Sequence, residues 1–134
     1  MSNDLDTQNK EYQKKIFYDQ DLSKYSWFNL GGVAEVLFKP DSIKQLKIFI
    51  EKNKKKKINI IGAGSNTLIR DGGVKGVTLK LSSKFSSIKL IDKNIFEVGA
   101  ATLDKKLSNF ATKYSVSGFE FLSCIPGSIG GGVR

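Results

Sequence analysis

The first fifteen residues are polar and unevenly patterned, and are expected to be frayed or loosely docked. Two aromatics and a glycine pair follow in YSWFNLGG (25–32), and VAEVLF (33–38) then alternates apolar and polar positions as a short strand does. Pro40 stops it. Asp41 or Ser42 can cap the helix IKQLKIFIEKN, whose Ile43, Leu46, Phe49 and Ile50 fall on one face. Ile58, Ile60 and Ile61 make the next strand, which runs into a glycine loop. In VKGVTLKL, Val77, Leu79 and Leu81 alternate on one face, and IKLIDKNIFEV reads as a hairpin turning at Asp92, Lys93 and Asn94. Leu103, Leu107, Phe110, Ala111 and Tyr114 recur at helical spacing. That helix is expected to end near Ser117 and Gly118, where glycine can take the left-handed cap. Strand, helix, strand, loop, strands, helix, glycine loop is the order of a mixed α+β domain.

Two glycine-rich segments carry the candidate chemistry. The first, IIGAGSNTLIRDGG (60–73), opens from a strand into Gly62 and Gly64. It fails the dinucleotide fingerprint G-x-G-x-x-G: Thr67 stands at the third glycine, no room remains for a long helix, and no carboxylate lies about 20 residues on. It fails the Walker A pattern too, because no Gly-Lys-Ser/Thr follows. Read alone, it is either a tight turn between strands or a cradle of backbone amides for an anion. Ser65 and Asn66 add neutral donors. The second segment, Ile125, Pro126, Gly127, Ser128, Ile129 and Gly130 to Gly132, has the same character, and two such loops in one small domain are hard to explain as turns alone.

Composition narrows the choice. The chain has 134 residues, about one domain, with enough apolar content for a packed core. It has no histidine and one cysteine, Cys124, which removes zinc and iron–sulfur ligand sets, histidine triads and an internal disulfide. Cys124 reads as a small buried residue before a turn. No apolar run approaches the ~18 residues of a membrane span and no signal peptide is evident, so a cytoplasmic location is expected, with no membrane partner. The net charge of +9 raises a basic nucleic-acid-binding module as an alternative. Against it, 22 basic residues include only Arg70 and Arg134 as arginines, and the dense run 52–57 fits a solvated helix end. No nucleic-acid partner is expected.

In order and spacing, WFNLGGVAEVLF, IIGAGSNTLIRDGGVKGVTLKL, FEVGAATLDKKL and GFEFLSCIPGSIGGGVR resemble the N-terminal part of the UDP-N-acetylenolpyruvoylglucosamine reductases, also called UDP-N-acetylmuramate dehydrogenases. The likeness runs from about Tyr25 to Arg134. It implies an FAD-binding domain of the vanillyl-alcohol oxidase-like (PCMH) type, built from two small α+β lobes with FAD between them. Residues 1–20 would be a polar extension and 21–134 the FAD-binding domain, incomplete at its C-terminus, with the substrate-binding domain absent. A different FAD oxidase of the same fold is a further alternative.

Carried over position by position, the resemblance assigns Gly62, Ala63, Gly64, Ser65, Asn66 and Thr67 to the FAD diphosphate. It assigns Ile125, Pro126, Gly127, Ser128, Gly130 and Gly131 to the neighbourhood of the flavin and dinucleotide. The FAD would be bound non-covalently. The implied activity is FAD-dependent, NADPH-driven reduction of UDP-N-acetylglucosamine enolpyruvate to UDP-N-acetylmuramate, a step of peptidoglycan precursor synthesis serving cell-wall biogenesis, cell shape and division. The family's catalytic residues are expected downstream of Arg134, so none is assigned in this chain and no metal is implied. The chain is expected to be inactive alone, and the full-length enzyme to be monomeric.

Overall fold

The computed structural model describes residues 5–133. Strands β1 (Ile16–Asp21), β2 (Val33–Phe38), β3 (Ile58–Ile60) and β4 (Val74–Leu79) form one sheet in the order β1-β2-β4-β3. β1 pairs antiparallel with β2, whereas β2, β4 and β3 run parallel. Helix α1 (Ile43–Lys52) makes the crossover between β2 and β3. The second lobe is an antiparallel hairpin, β5 (Ile88–Asp92) and β6 (Ile95–Val98), followed by α2 (Asp104–Lys113), a 3₁₀ segment at Glu120–Cys124 and a short helix α3 (Ile129–Val133).

The first lobe holds both buried clusters. On one face Tyr12, Ile16, Val36, Phe38, Phe49, Val77 and Leu79 pack together; on the other, Leu22, Ala34, Leu37, Ile61 and Ile69. β2 and β4 are central, and at their C-terminal halves they are buried on both faces. The aromatic rings lock tightly: Phe38 stacks on Phe49 at 4.0 Å between centroids, and Tyr12 meets both edge-on. Burial, followed by the neighbouring Asp6, pushes the Tyr12 hydroxyl up to about 12.

This part of the molecule corrects the expectation that residues 1–15 fray as far as residues 5–15 go; residues 1–4 lie outside the described residues. Tyr12 is fully buried and donates its hydroxyl to the Asp6 carbonyl at 3.0 Å. Asn53, also buried, accepts from the Asp6 amide at 3.1 Å and donates to the Phe49 carbonyl at 2.9 Å. A polar sequence is thus tied down by one aromatic anchor and one amide strap, neither of which shows in hydropathy. A boundary at residue 20 also cuts through β1, which belongs to the same sheet as the rest.

Helix α1 starts where the capping pattern says: the Ser42 hydroxyl accepts from the Gln45 amide at 3.2 Å. Its buried face differs from the expected one, because Ile43 and Ile50 are exposed while Leu46, Ile48, Phe49 and Asn53 face inward. The lysines of 52–57 surround the buried Asn53 at the helix end, largely in solvent. α2 also stops earlier than expected. Ser115, not Gly118, takes the left-handed conformation that caps it, at φ 55°. The Val116 amide donates to the Ala111 carbonyl and the Ser115 amide to Thr112, the paired bonds of a Schellman motif.

The second lobe is thinner. Phe96 meets Phe110 and Phe119 edge-on at 5.8 and 5.2 Å, gathering the hairpin, α2 and the 3₁₀ segment around one aromatic contact. Leu90, Ile91 and Ile95 of the hairpin remain exposed.

Candidate functional site

β2, β4 and β3 point their carboxyl ends the same way, and the first glycine loop leaves β3 at that end. The second glycine segment comes from the other lobe, more than 60 residues later, and meets it there. A cavity of about 210 Å³ is lined by residues 62–67 on one side and by Asp104, Ile125, Pro126, Gly127, Ser128, Gly131 and Gly132 on the other. Eleven of the twelve residues expected to hold cofactor therefore surround one space. The twelfth, Gly130, lines an adjoining cavity of about 300 Å³. The two spaces share Gly62, Ala63, Ser128 and Gly131 as walls, and the second is mostly apolar, with Ile60, Ile61, Leu81 and Leu103 around it.

Hydrogen bonding gives the first loop a definite polarity. Three of its carbonyls are held by the protein: Gly62 by the Lys80 ammonium at 2.5 Å, Gly64 by the Trp27 amide at 3.1 Å, and Thr67 by the Ser26 hydroxyl at 3.0 Å. The amides of residues 62–67 are the converse. Those of residues 62–66 make no hydrogen bond to an acceptor among the described residues, and that of Thr67 only closes the turn over Ser65 and Asn66. Backbone donors left over in a concave space form the kind of cradle that takes an anion.

The glycines of this loop serve different ends. A side chain on Gly64 would overlap the Tyr25 carbonyl oxygen, and its φ of 74° is itself unfavourable for other residues. Gly64 is thus glycine because it packs against the protein body, which corrects the expectation that its close approach is to a phosphate. Gly62 faces the site: a β-carbon there would sit 3.1 Å from the Ser128 hydroxyl across the cleft.

The second segment contributes differently from the first. Ile129 and Gly130 spend their amides on the carbonyls of Thr102 and Ala100, both at 2.9 Å, and Gly131 and Gly132 both donate to Ser128. A run of glycines that reads as a loop is instead a turn of helix, α3, fastened to 100–102. Its offering to the site is a small surface and the buried Ser128 hydroxyl rather than a second row of donors. Cys124, expected to be buried, is exposed beside Trp27, Ile125 and Pro126 in an outer pocket.

Two charged residues of the site carry no sequence signal of their own. Lys80 lies at the end of β4 as one more lysine among many. Its pKa is lowered, first by burial and then by Lys39, and both cations sit near the Tyr25 ring, at 5.6 and 5.4 Å. Asp104 opens α2, where an acidic residue reads as an ordinary partner for the helix dipole. In the structure it is only 4 % exposed, and burial pushes its carboxyl above the usual carboxylate range. Arg134 lies outside the described residues.

Diphosphate and dinucleotide ligands suit this arrangement: unpaired amides and Ser65, Asn66 and Ser128 hydroxyl or amide groups for the charged part, an apolar room beside them for a ring. Among the described residues there is no group of three or more metal-ligating side chains, and no helix is long and apolar enough to cross a membrane.

Comparison with known proteins agrees with the geometry. Residues 34–134 match the model of the FAD binding domain family. The chain is 50% identical over 125 residues to the UDP-N-acetylenolpyruvoylglucosamine reductase of Pelagibacter ubique, covering 92% of this chain and 41% of that protein. It is 48% identical over 123 residues to the reductase of Rickettsia canadensis, covering 91% and 40%. The crystal structure of UDP-N-acetylenolpyruvylglucosamine reductase from Thermus caldophilus superposes with a TM-score of 0.70 at 29% identity, covering 89% of this chain and 40% of that one. The chain therefore spans about two-fifths of the length of the relatives it matches.

Proposed function

Since the chain belongs to the FAD binding domain family, we propose that it holds FAD, with the diphosphate on the amides of residues 62–67 and a ring system in the adjoining apolar cavity. The observation that carries this is the one-sided hydrogen bonding of the first loop, in which the carbonyls of Gly62, Gly64 and Thr67 are engaged while the amides of residues 62–66 meet no acceptor among the described residues.

In this reading each residue has a task. Lys80 holds the Gly62 carbonyl and adds positive charge to the wall of the adjoining cavity. Ser65 and Asn66 supply side-chain donors from one wall, and Ser128 a hydroxyl from the other. Pro126 and Gly127 bring the second segment close without donors. Bound FAD supplies hydride transfer, which no side chain of this composition can perform. The activity we infer for the protein of which this domain is part is NADPH-driven reduction of the enolpyruvyl group of UDP-N-acetylglucosamine enolpyruvate, giving the muramate precursor of peptidoglycan. The names of the relatives support that substrate, and the net positive charge suits an acidic one. No catalytic residue is assigned within residues 1–134, and the protein acts in the cytoplasm without nucleic acid.

Titrating the chain into FAD, and following flavin fluorescence and the shape of the visible flavin band, tests the cofactor site. Saturable, equimolar quenching is expected, competed by ADP. Fluorescence and spectrum unchanged up to ~1 mM protein, weaker than about −4 kcal/mol of binding, would sink the proposal.

A further inference from the structure

A carboxylate does not belong in an anion site unless it has work of its own. Asp104 lines the same cavity as the glycine loop, is 96 % shielded from solvent, and makes no side-chain hydrogen bond or ion pair with any other described residue. Its placement is tightly set. The Asp104 amide donates to the Gly127 carbonyl at 3.2 Å, and Oδ2 lies 2.6 Å from where a side chain on Gly127 would begin. A side chain on Gly127 would therefore have to displace this carboxylate, so the two residues are packed against each other.

A carboxylate this shielded is ordinarily matched by a donor, and the oxygens of Asp104, which are not sealed off from solvent, open onto the cavity that the residue lines. An ionised carboxylate only accepts hydrogen bonds, so the phosphate groups beside it cannot be its partner. FAD carries, on either side of its diphosphate, a polyol whose hydroxyls are donors: the ribose of the adenosine and the ribityl chain of the flavin.

Resting on the FAD reading of this cavity, we propose that Asp104 is a cofactor-binding residue whose carboxylate accepts a hydrogen bond from a polyol hydroxyl flanking the diphosphate. The cavity then sorts ligands: it admits a diphosphate only when a hydroxyl-bearing arm lies beside it, and discriminates against inorganic pyrophosphate by leaving the carboxylate facing a like charge.

The test compares the wild-type chain with the near-isosteric Asp104→Asn, by calorimetric titration with FAD, FMN, ADP and inorganic pyrophosphate, with thermal melts to confirm folding. Replacing a charged acceptor by a neutral one is expected to weaken FAD binding about tenfold. The loss should be shared by ADP if the ribose is the donor and by FMN if the ribityl chain is. Pyrophosphate should bind Asp104→Asn more tightly than wild type, an opposite shift that misfolding cannot produce. If the folded variant binds FAD as tightly as wild type, or gains for FAD and pyrophosphate alike, Asp104 is not a hydroxyl acceptor and the proposal falls. A wild-type chain that binds no FAD would overturn the cofactor reading itself, and this role with it.

Discussion

Within the first loop, two glycines of identical appearance do unlike things, and substitution separates them. Gly64→Ala forces a β-carbon into the Tyr25 carbonyl at φ 74°, so we expect a loss of about 3 kcal/mol or more of stability, or no soluble protein, seen as a lowered melting temperature. Gly62→Ala meets only the rotatable Ser128 hydroxyl, so the melting temperature should hold within a few degrees while FAD affinity drops. If the Gly62 variant melts early and the Gly64 variant does not, the loop has been placed the wrong way round. From sequence both glycines were legible as permitting close approach, but not what approached them: that depends on Tyr25, nearly forty residues away. Asp104 offers a second separation. Its carboxyl is raised by burial, so the folded chain binds that proton more tightly than the unfolded one, and stability falls as pH rises from the ordinary carboxylate range through the raised value. Asp104→Asn removes that loss. In chain without cofactor it should melt above wild type at pH ~7, and the gap should close toward pH ~3. A gap that persists undiminished at acid pH would mean that the charge is not its source.

Single contacts also decide how whole elements end and dock. Helix α2 closes on Ser115 in the left-handed region, a conformation glycine adopts at little cost. Ser115→Gly is expected to stabilise the chain by about 1 kcal/mol, read as a rise of roughly 4 °C in melting temperature, provided the Schellman bonds are retained. At the end of α1, Asn53 joins the helix to the N-terminal segment. Asn53→Ala leaves the buried Asp6 and Phe49 groups without that partner and should cost about 1–3 kcal/mol, with faster proteolysis before Tyr12 as the specific sign. Strands β2 to β6, the β5–β6 turn and the Ser42 cap could be read from alternation and capping residues, because each is a local pattern, whereas β1 gave no such signal. The α1 face, the end of α2 and the docking of residues 5–15 could not. Each is set by tertiary partners: the sheet surface that takes Ile48 beside Leu46 and Phe49 and leaves out Ile43 and Ile50, the chain path after Tyr114, and the aromatic cluster that receives Tyr12.

Across the molecule, the two lobes differ in how they are held while the site needs both. The first has two buried clusters under a four-stranded sheet; the second has a two-stranded hairpin around an edge-on aromatic contact. A hairpin of that kind is marginal by itself, so hydrogen exchange should be slowest for amides of β2 and β4 and clearly faster for β5, β6 and α2. The cavity draws its two walls from opposite lobes, so a ligand bound there adds its binding energy to the closed arrangement. Saturating FAD is therefore expected to slow exchange in α2 and at residues 127–130 by as large a factor as in β2, because opening either lobe releases the ligand; β2 slowed with α2 unchanged would mean that the second wall does not hold it. The basic surface leads to a different expectation for other ligands. The lysines of 52–57 precede β3, whereas the glycine loop follows it, so this charge lies at the far end of the strand from the site. Salt between about 50 and 200 mM should then lower FAD affinity only a few-fold, as suits a ligand with two phosphate charges, while a polynucleotide held by several lysines would lose about a thousandfold. Slowed exchange confined to the 52–57 end on adding oligonucleotide, with none at 62–67 on adding FAD, would reverse the choice between the two ligands.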